Sequence, residues 1–208
     1  MEEKGKQRII FATNNAGKIK EIKEILADLS NIEVLSLKEA NINIDIIEDG
    51  KTFEENAIIK AKAIHQITKG IVLADDSGLE VDYLNKEPGV YSARYMGEDT
   101  SYKIKNQNIM DRLNNVPLER RTARFVCAIA AITKTGEIWT TNGVVEGYIG
   151  EEACGENGFG YDPIFYLHEY QCSTAQLSME VKNKISHRGK ALSEMRKILI
   201  KEALEGKY

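Results

Sequence analysis

Two adjacent acids, Asp75 and Asp76, follow the apolar run Ile71 to Ala74, and Ser77 and Gly78 come directly after them. Carboxylates in such a place have two chemical uses. They hold a hard divalent cation through oxygen, and one of them can accept a proton from an attacking water. A magnesium ion bridging carboxylate and phosphate would stabilise the charge that grows as an anhydride breaks. A solvated turn with aspartate as a local cap accounts for the same residues, so the pair alone leaves both readings open. Glu48, next to Asp49, offers a second metal carboxylate, and a charged loop explains it as well.

Three more stretches carry chemically useful groups. ATNNAGK (12–18) joins a strand to a helix through a polar turn, which aims backbone amides at one point; such a turn and the helix dipole suit phosphate. Thr13 and Asn15 add side-chain donors there, and Lys18 adds a full charge. The spacing is not that of a GxxxxGK[ST] loop, and a plain βα turn with a surface lysine fits equally. FGYDP (159–163) combines the stacking faces of Phe159 and Tyr161 with Gly158 and Gly160, which let a backbone approach a flat ligand. A core aromatic pair flanking a turn is the structural alternative. KNKISHRGKA (182–191) gathers Lys182, Lys184, His187, Arg188 and Lys190, donors for phosphate or for a base carbonyl. A solvated helix start with Ser186 as its N-cap explains them too.

The elements that must position these groups follow from periodicity. RIIFAT (8–13), IEVLSL (32–37) and IVLAD (71–75) read as strands, with the last ending at the acids. KIKEIKEILADL reads as a helix with Ile19, Ile22, Leu26 and Leu29 on one face. Thr52 and Glu55 have capping-box spacing, and the helix they open puts Phe53, Ala57, Ala61 and Ile64 inward. A weaker helix is expected over 100–114, begun by Thr100. TARFVCAIAAIT (122–133) and EIWTTNGVVEGYI (137–149) predict a β-hairpin. A short strand is expected to follow the Gly-rich stretch 157–165. The last helix is expected over 187–204, with Ala191, Leu192, Met195, Ile198 and Leu199 inward. Helices alternating with strands, plus a hairpin, give a mixed α/β sheet.

The chain has 208 residues, 42% of them hydrophobic, and a net charge of -4, which suits a globular protein and disfavours non-specific nucleic-acid binding. Three scattered cysteines without a CxxC spacing fit a reducing compartment. The charged start MEEKGKQRIIFAT is not expected to act as a signal peptide, and no window approaches the length of a membrane span. The expectation is a cytoplasmic protein.

Six stretches in one order resemble the inosine triphosphate pyrophosphatase (Ham1/RdgB) family: ATNNAGK, TFEENAIIKAKA, LADDSGLEVD, PGVYSARY, NGFGYDPIF and ISHRGKAL. They run from about residue 10 to residue 192. The resemblance implies one domain over residues 1–208, an elongated mixed α/β sheet flanked by helices, and two lobes with an active-site cleft. It implies hydrolysis of ITP, dITP and XTP to the monophosphate and pyrophosphate, with Mg²⁺, by a cytoplasmic homodimer that needs neither nucleic acid nor membrane. By matching position, Thr13, Asn14, Asn15, Ala16, Gly17 and Lys18 would bind the triphosphate. Asp76 would deprotonate water and share the metal with Glu48, and Ser77 would touch substrate. Phe159, Gly160, Tyr161 and Asp162 would line the base pocket, closed by Lys182, His187 and Arg188. Asn14 departs from the family in standing where glycine is common, and Val181 in standing where an acid is frequent. Three other readings compete: a Maf-type pyrophosphatase, a nucleotide sensor without turnover, and a nucleic-acid-binding protein using Arg120, Arg121, Arg124 and the lysines of 182–190.

Overall fold

Short β-branched and aliphatic runs form the parallel half of the sheet. In the computed structural model, which describes residues 6–204, β1 (Gln7–Phe11) pairs in parallel with β2 (Ile32–Ser36) on one side. On the other side it pairs in parallel with the start of β3 (Ile71–Val81), in the register Ile9 with Ile71 and Phe11 with Leu73. Each connection between these parallel strands is a helix, as parallel pairing requires: α1 (Ala16–Ile25) after β1, and α2 (Phe53–Thr68) after β2. The charged residues 1–5, from which no signal segment was expected, lie outside the described residues.

β3 does not end at the acids. It runs on through Asp75, Asp76 and Ser77 to Val81, so the carboxylates sit in mid-strand. The expected end at Asp75 falls short of the observed one at Val81, although β1 stops earlier. Its pairing ends at Leu73, whose carbonyl accepts the Ala12 amide at 2.7 Å. The acids therefore lie just past the carboxyl end of β1, where open α/β sheets bind ligands, on a neighbour that continues.

The hairpin is β4 (Thr122–Ile132) and β5 (Ile138–Ile149), closed by the Thr133 amide on the Glu137 carbonyl at 3.0 Å. Two short strands, β6 (Phe165–Leu167) and β7 (Cys172–Ser173), add antiparallel pairs, giving the order β2-β1-β3-β4-β5-β6-β7. Three further helices are α3 (Tyr102–Arg112), α4 (Met179–Ile185) and α5 (His187–Leu204). The mixed α/β reading holds. α1 ends at Ile25, earlier than the periodicity suggested, which leaves Leu29 beyond the helix. Ser101, not Thr100, caps α3.

The chain divides into two compact units. The first takes the residues up to Asp76, Ala128–Asn142, and those from Ala191 on; the second takes Ser77–Cys127 and Gly143–Lys190. β3, β4 and β5 each contribute to both. The first unit buries Phe11, Ile22, Ala57, Ile64, Leu73 and Met195, and the second has its core around Leu79, Ile109, Leu113, Phe125, Ile149 and Phe165. Among the described residues no helix is long and apolar enough to cross a membrane, and no disulfide joins the three cysteines.

Candidate active site

In the first unit the turn after β1 folds on local hydrogen bonds. The Asn15 side chain caps α1 by accepting the Lys18 amide at 3.1 Å, and the Thr13 hydroxyl accepts the Asn15 amide at 3.2 Å. These oxygens accept within the turn, while the Thr13 hydroxyl hydrogen and the Asn15 Nδ2 amide keep the donor capacity expected of the side chains. Asn14 takes no positive φ, so the absence of glycine there leaves the backbone unstrained. Asn14, Asn15 and Ala16 are exposed, as a phosphate-facing turn would be.

Past this turn lies a cluster of charges. Lys18 Nζ stands 3.0 Å from Asp75 Oδ2, whose side chain is fully buried. Lys60 Nζ stands 3.0 Å from Asp76 Oδ1 and 3.1 Å from Glu48 Oε2. The adjacent acids thus have different partners. Three carboxylates face two ammonium groups, which leaves one excess negative charge in a poorly solvated place. Burial pushes the Asp76 carboxyl above the ordinary aspartate range, against the opposing pull of Lys60 and Lys18. Burial also works to lower the Lys60 ammonium, but Asp76, Asp75 and Glu48 together outweigh it and hold Lys60 charged.

Asn56 ties the cluster together. Its side-chain oxygen accepts the Gly50 amide at 2.8 Å, and its Nδ2 donates to Asp76 Oδ2 at 3.2 Å. One buried amide thereby fixes the loop that carries Glu48 against the strand that carries Asp76. Gly50 has no alternative there, since a Cβ would come within 2.6 Å of Asn56 Oδ1. At the start of α2 the Thr52 hydroxyl accepts the Glu55 amide as expected, but Glu55 reaches back to the Lys51 amide, at 2.6 Å, and not to Thr52. Sequence reasoning missed Asn56 and Lys60. The signal was present: both fall on the same stripe of α2 as Phe53, Ala57, Ala61 and Ile64, and polar residues on a core-facing stripe require partners.

In the second unit the FGYD stretch folds around the buried carboxylate of Asp162. Its Oδ2 accepts the Phe159 amide at 2.7 Å and Lys182 Nζ at 2.6 Å, and its Oδ1 accepts the Thr174 hydroxyl at 2.9 Å. Gly158 makes room for this carboxylate: at φ +75° a Cβ there would lie 2.2 Å from Asp162 Oδ2. Tyr161 offers no stacking face to solvent. It belongs to the core, edge-on to Tyr102, with its hydroxyl donating to the Ser92 carbonyl at 2.8 Å. Phe159 is the aromatic left partly exposed, with Lys182 Nζ 5.0 Å and Arg188 Cζ 5.7 Å from its ring centre. Arg188 Nη2 donates to the Ser77 hydroxyl at 2.9 Å, and the His187 ring stacks on Phe125.

The basic stretch is accordingly no solvated helix start. Lys182, His187 and Arg188 are buried, while Lys184 stays outside with Glu180. Ser186 does cap α5, accepting the Gly189 amide at 3.1 Å. The arginines of the nucleic-acid reading are engaged in the fold. Arg121 is buried on three backbone carbonyls, and Arg124 meets Glu80, Asp82 and Glu146.

The sequence-predicted residues thus form two sets. Thr13 to Lys18, Glu48 and Asp76 lie in the first unit; Ser77, Phe159 to Asp162, Lys182, His187 and Arg188 lie in the second. Comparison with known proteins agrees with the order of the motifs. The profile of the Ham1 family matches residues 9–198, and the chain belongs to that family. A dITP/XTP pyrophosphatase from Clostridium perfringens is 50% identical over 196 residues, covering 91% of this chain and 96% of that protein. A dITP/XTP pyrophosphatase from Bacillus subtilis is 48% identical, covering 91% and 96%. The structure of the Staphylococcus aureus Ham1 protein superposes with a TM-score of 0.81 at 42% identity, over 97% of this chain and 100% of that one.

Proposed function

We propose that this chain hydrolyses non-standard purine nucleoside triphosphates, ITP, dITP and XTP, to the nucleoside monophosphate and pyrophosphate, and so cleanses the nucleotide pool. Relatives that cover nearly the whole chain are dITP/XTP pyrophosphatases, which supports the reaction. The observation that carries the mechanism is the buried aspartate Asp76, held by Asn56 and Lys60 beside Glu48.

Burial makes the Asp76 carboxylate a stronger base than an ordinary aspartate, which suits it to orient and deprotonate a water. Lys18, Lys60 and the amides of the turn 13–18 take up negative charge on the phosphates. Asp75 keeps Lys18 in place. Arg188 and His187 select the base: a donor pairs with the 6-oxo group of hypoxanthine or xanthine and opposes the 6-amino group of adenine. Asp162 serves this set from behind, by fixing Phe159 and Lys182.

The donor set fits Mg²⁺. Glu48 and Asp76 are oxygen ligands already gathered about one positive charge, and Mg²⁺ in such enzymes is bound by one or two carboxylates together with substrate phosphates. Among the described residues no cluster of three or more acids, histidines or cysteines completes a cage without them. When bound, Mg²⁺ neutralises charge on the phosphate oxygens. We also propose that the protein acts in the cytoplasm as a homodimer, as one domain over residues 1–208, without nucleic acid or membrane.

The test is product identification. With Mg²⁺ and a panel of ITP, dITP, XTP, ATP and GTP, the first three should yield monophosphate and pyrophosphate in equal amounts. Release of orthophosphate with a nucleoside diphosphate would refute the reaction; equal turnover of ATP would refute the base selection.

A further inference from the structure

The ammonium of Lys60 stands where a cation shared by Glu48 and Asp76 would stand. It lies 3.1 Å from Glu48 Oε2 and 3.0 Å from Asp76 Oδ1. Lys60 reaches this place from the buried face of α2, and its side chain is only 9% exposed. Asn56, one turn earlier on the same face, holds Asp76 and the Gly50 loop together, so the carboxylates are gathered whether or not a metal is present. Lys18 is different. Its ammonium pairs directly with Asp75 and acts on Asp76 only through space.

We infer that Lys60 is the resident counter-ion of the Glu48–Asp76 pair and must leave it before a divalent cation can enter. The inference rests on the metal site proposed above. Two carboxylates cannot hold an ammonium at about 3 Å and a small divalent ion at about 2 Å in the same place. Entry therefore costs two charge-assisted hydrogen bonds of Lys60, and the substrate-free protein binds the metal poorly. An incoming triphosphate reverses the balance. Its oxygens give the displaced ammonium new partners and add ligands for the ion, so metal and nucleotide enter together. Lys60 is on this account a positioning residue that couples the two binding events and keeps metal from accumulating in the empty site.

The experiment is a titration of Mn²⁺ followed by the electron paramagnetic resonance of the unbound ion, without nucleotide. Lys60→Met should bind Mn²⁺ at least tenfold more tightly than the wild type, and Lys60→Arg, which keeps the charge, should bind as weakly as the wild type. Lys18→Met removes the same charge from the cluster without vacating the carboxylate pair, and it should change affinity far less. If Lys60→Met binds no more tightly, or Lys18→Met tightens as much, Lys60 is not the occupant and the inference fails. Lys60→Gln repeats the test should the methionine variant not fold, and circular dichroism checks both. The metal site itself is tested separately: Glu48→Gln should weaken Mn²⁺ binding in the presence of a non-hydrolysable dITP analogue. An unchanged affinity there would overturn the site reading, whereas a weakened one alongside an unaltered Lys60→Met would overturn only the inference.

Discussion

Lys18 Nζ and Asp75 Oδ2 lie 3.0 Å apart, and the carboxylate is fully buried while the lysine keeps its tip partly in water. The contact separates two neighbouring acids that look interchangeable in the sequence. Asp75 is neutralised by a lysine at the head of α1, and Asp76 meets a different lysine from α2. Removing one partner of a buried pair leaves the other uncompensated, at a cost of about 3 kcal/mol. Lys18→Ala, which strands the buried Asp75 carboxylate, should lose about that much in urea unfolding. A loss below about 0.5 kcal/mol would show that the pair does not organise the turn.

Asn56 offers a test of positioning. It links the Gly50 amide to Asp76, and no part of it is exposed. Asn56→Ala leaves those groups short of partners, which costs about 1–3 kcal/mol of stability. It also releases the loop bearing Glu48. A displacement of about 1 Å at a reacting group costs on the order of 10²-fold in rate, and kcat should fall by about that factor with KM much less changed. A rise in KM at constant kcat would assign Asn56 to substrate binding instead.

How much of this was legible before the structure depends on how local the cause is. Apolar runs placed β1 and β2, and apolar periods placed α2, the hairpin and α5, because each of these signals lies within the element's own residues. Ala57, Ala61 and Ile64 are fully buried as their spacing required. The continuation of β3 was not legible. A strand that carries Asp75 and Asp76 through its middle is sustained by neighbours and by lysines from elsewhere in the chain, and no local rule announces them. The two readings of Tyr161 stayed open for the same reason, since whether an aromatic faces ligand or core depends on Tyr102 and Ser92. The Ham1 motifs supplied candidates that propensity could not, but not the partners Asn56 and Lys60 supply.

Gly147 in β5 tests the antiparallel end of the sheet. A Cβ there would come within 2.3 Å of the Tyr166 carbonyl oxygen and 2.7 Å of the Phe165 ring. A backbone atom cannot step aside as a flexible side chain does. Gly147→Ala should destabilise by about 1–3 kcal/mol, read as a lower denaturation midpoint. A neutral effect would mean that β6 does not approach β5 as described.

Glu39 gives a pH dependence with a definite sign. The Lys23 ammonium, with the amide and hydroxyl of Ser36, lowers its carboxyl to about 2 from 4.5. A depressed pKa in the folded state stabilises above the unfolded value and loses that contribution as pH falls through the folded one. The stability gap between wild type and Glu39→Gln should be full at neutral pH, shrink below about 4.5 and vanish near 2, and salt should reduce it because the site is exposed. A gap that stays constant from neutral pH down to the acid limit would remove Glu39 from this role.

The central claim is that Asp76 activates the water that breaks the anhydride. Single-turnover hydrolysis of dITP by Asp76→Asn, with folding checked by circular dichroism and nucleotide binding by calorimetry, tests it most directly. The account predicts a variant that folds and binds nucleotide but releases pyrophosphate on the order of 10³-fold more slowly than the wild type. Pyrophosphate release at a rate within a few-fold of wild type would contradict it.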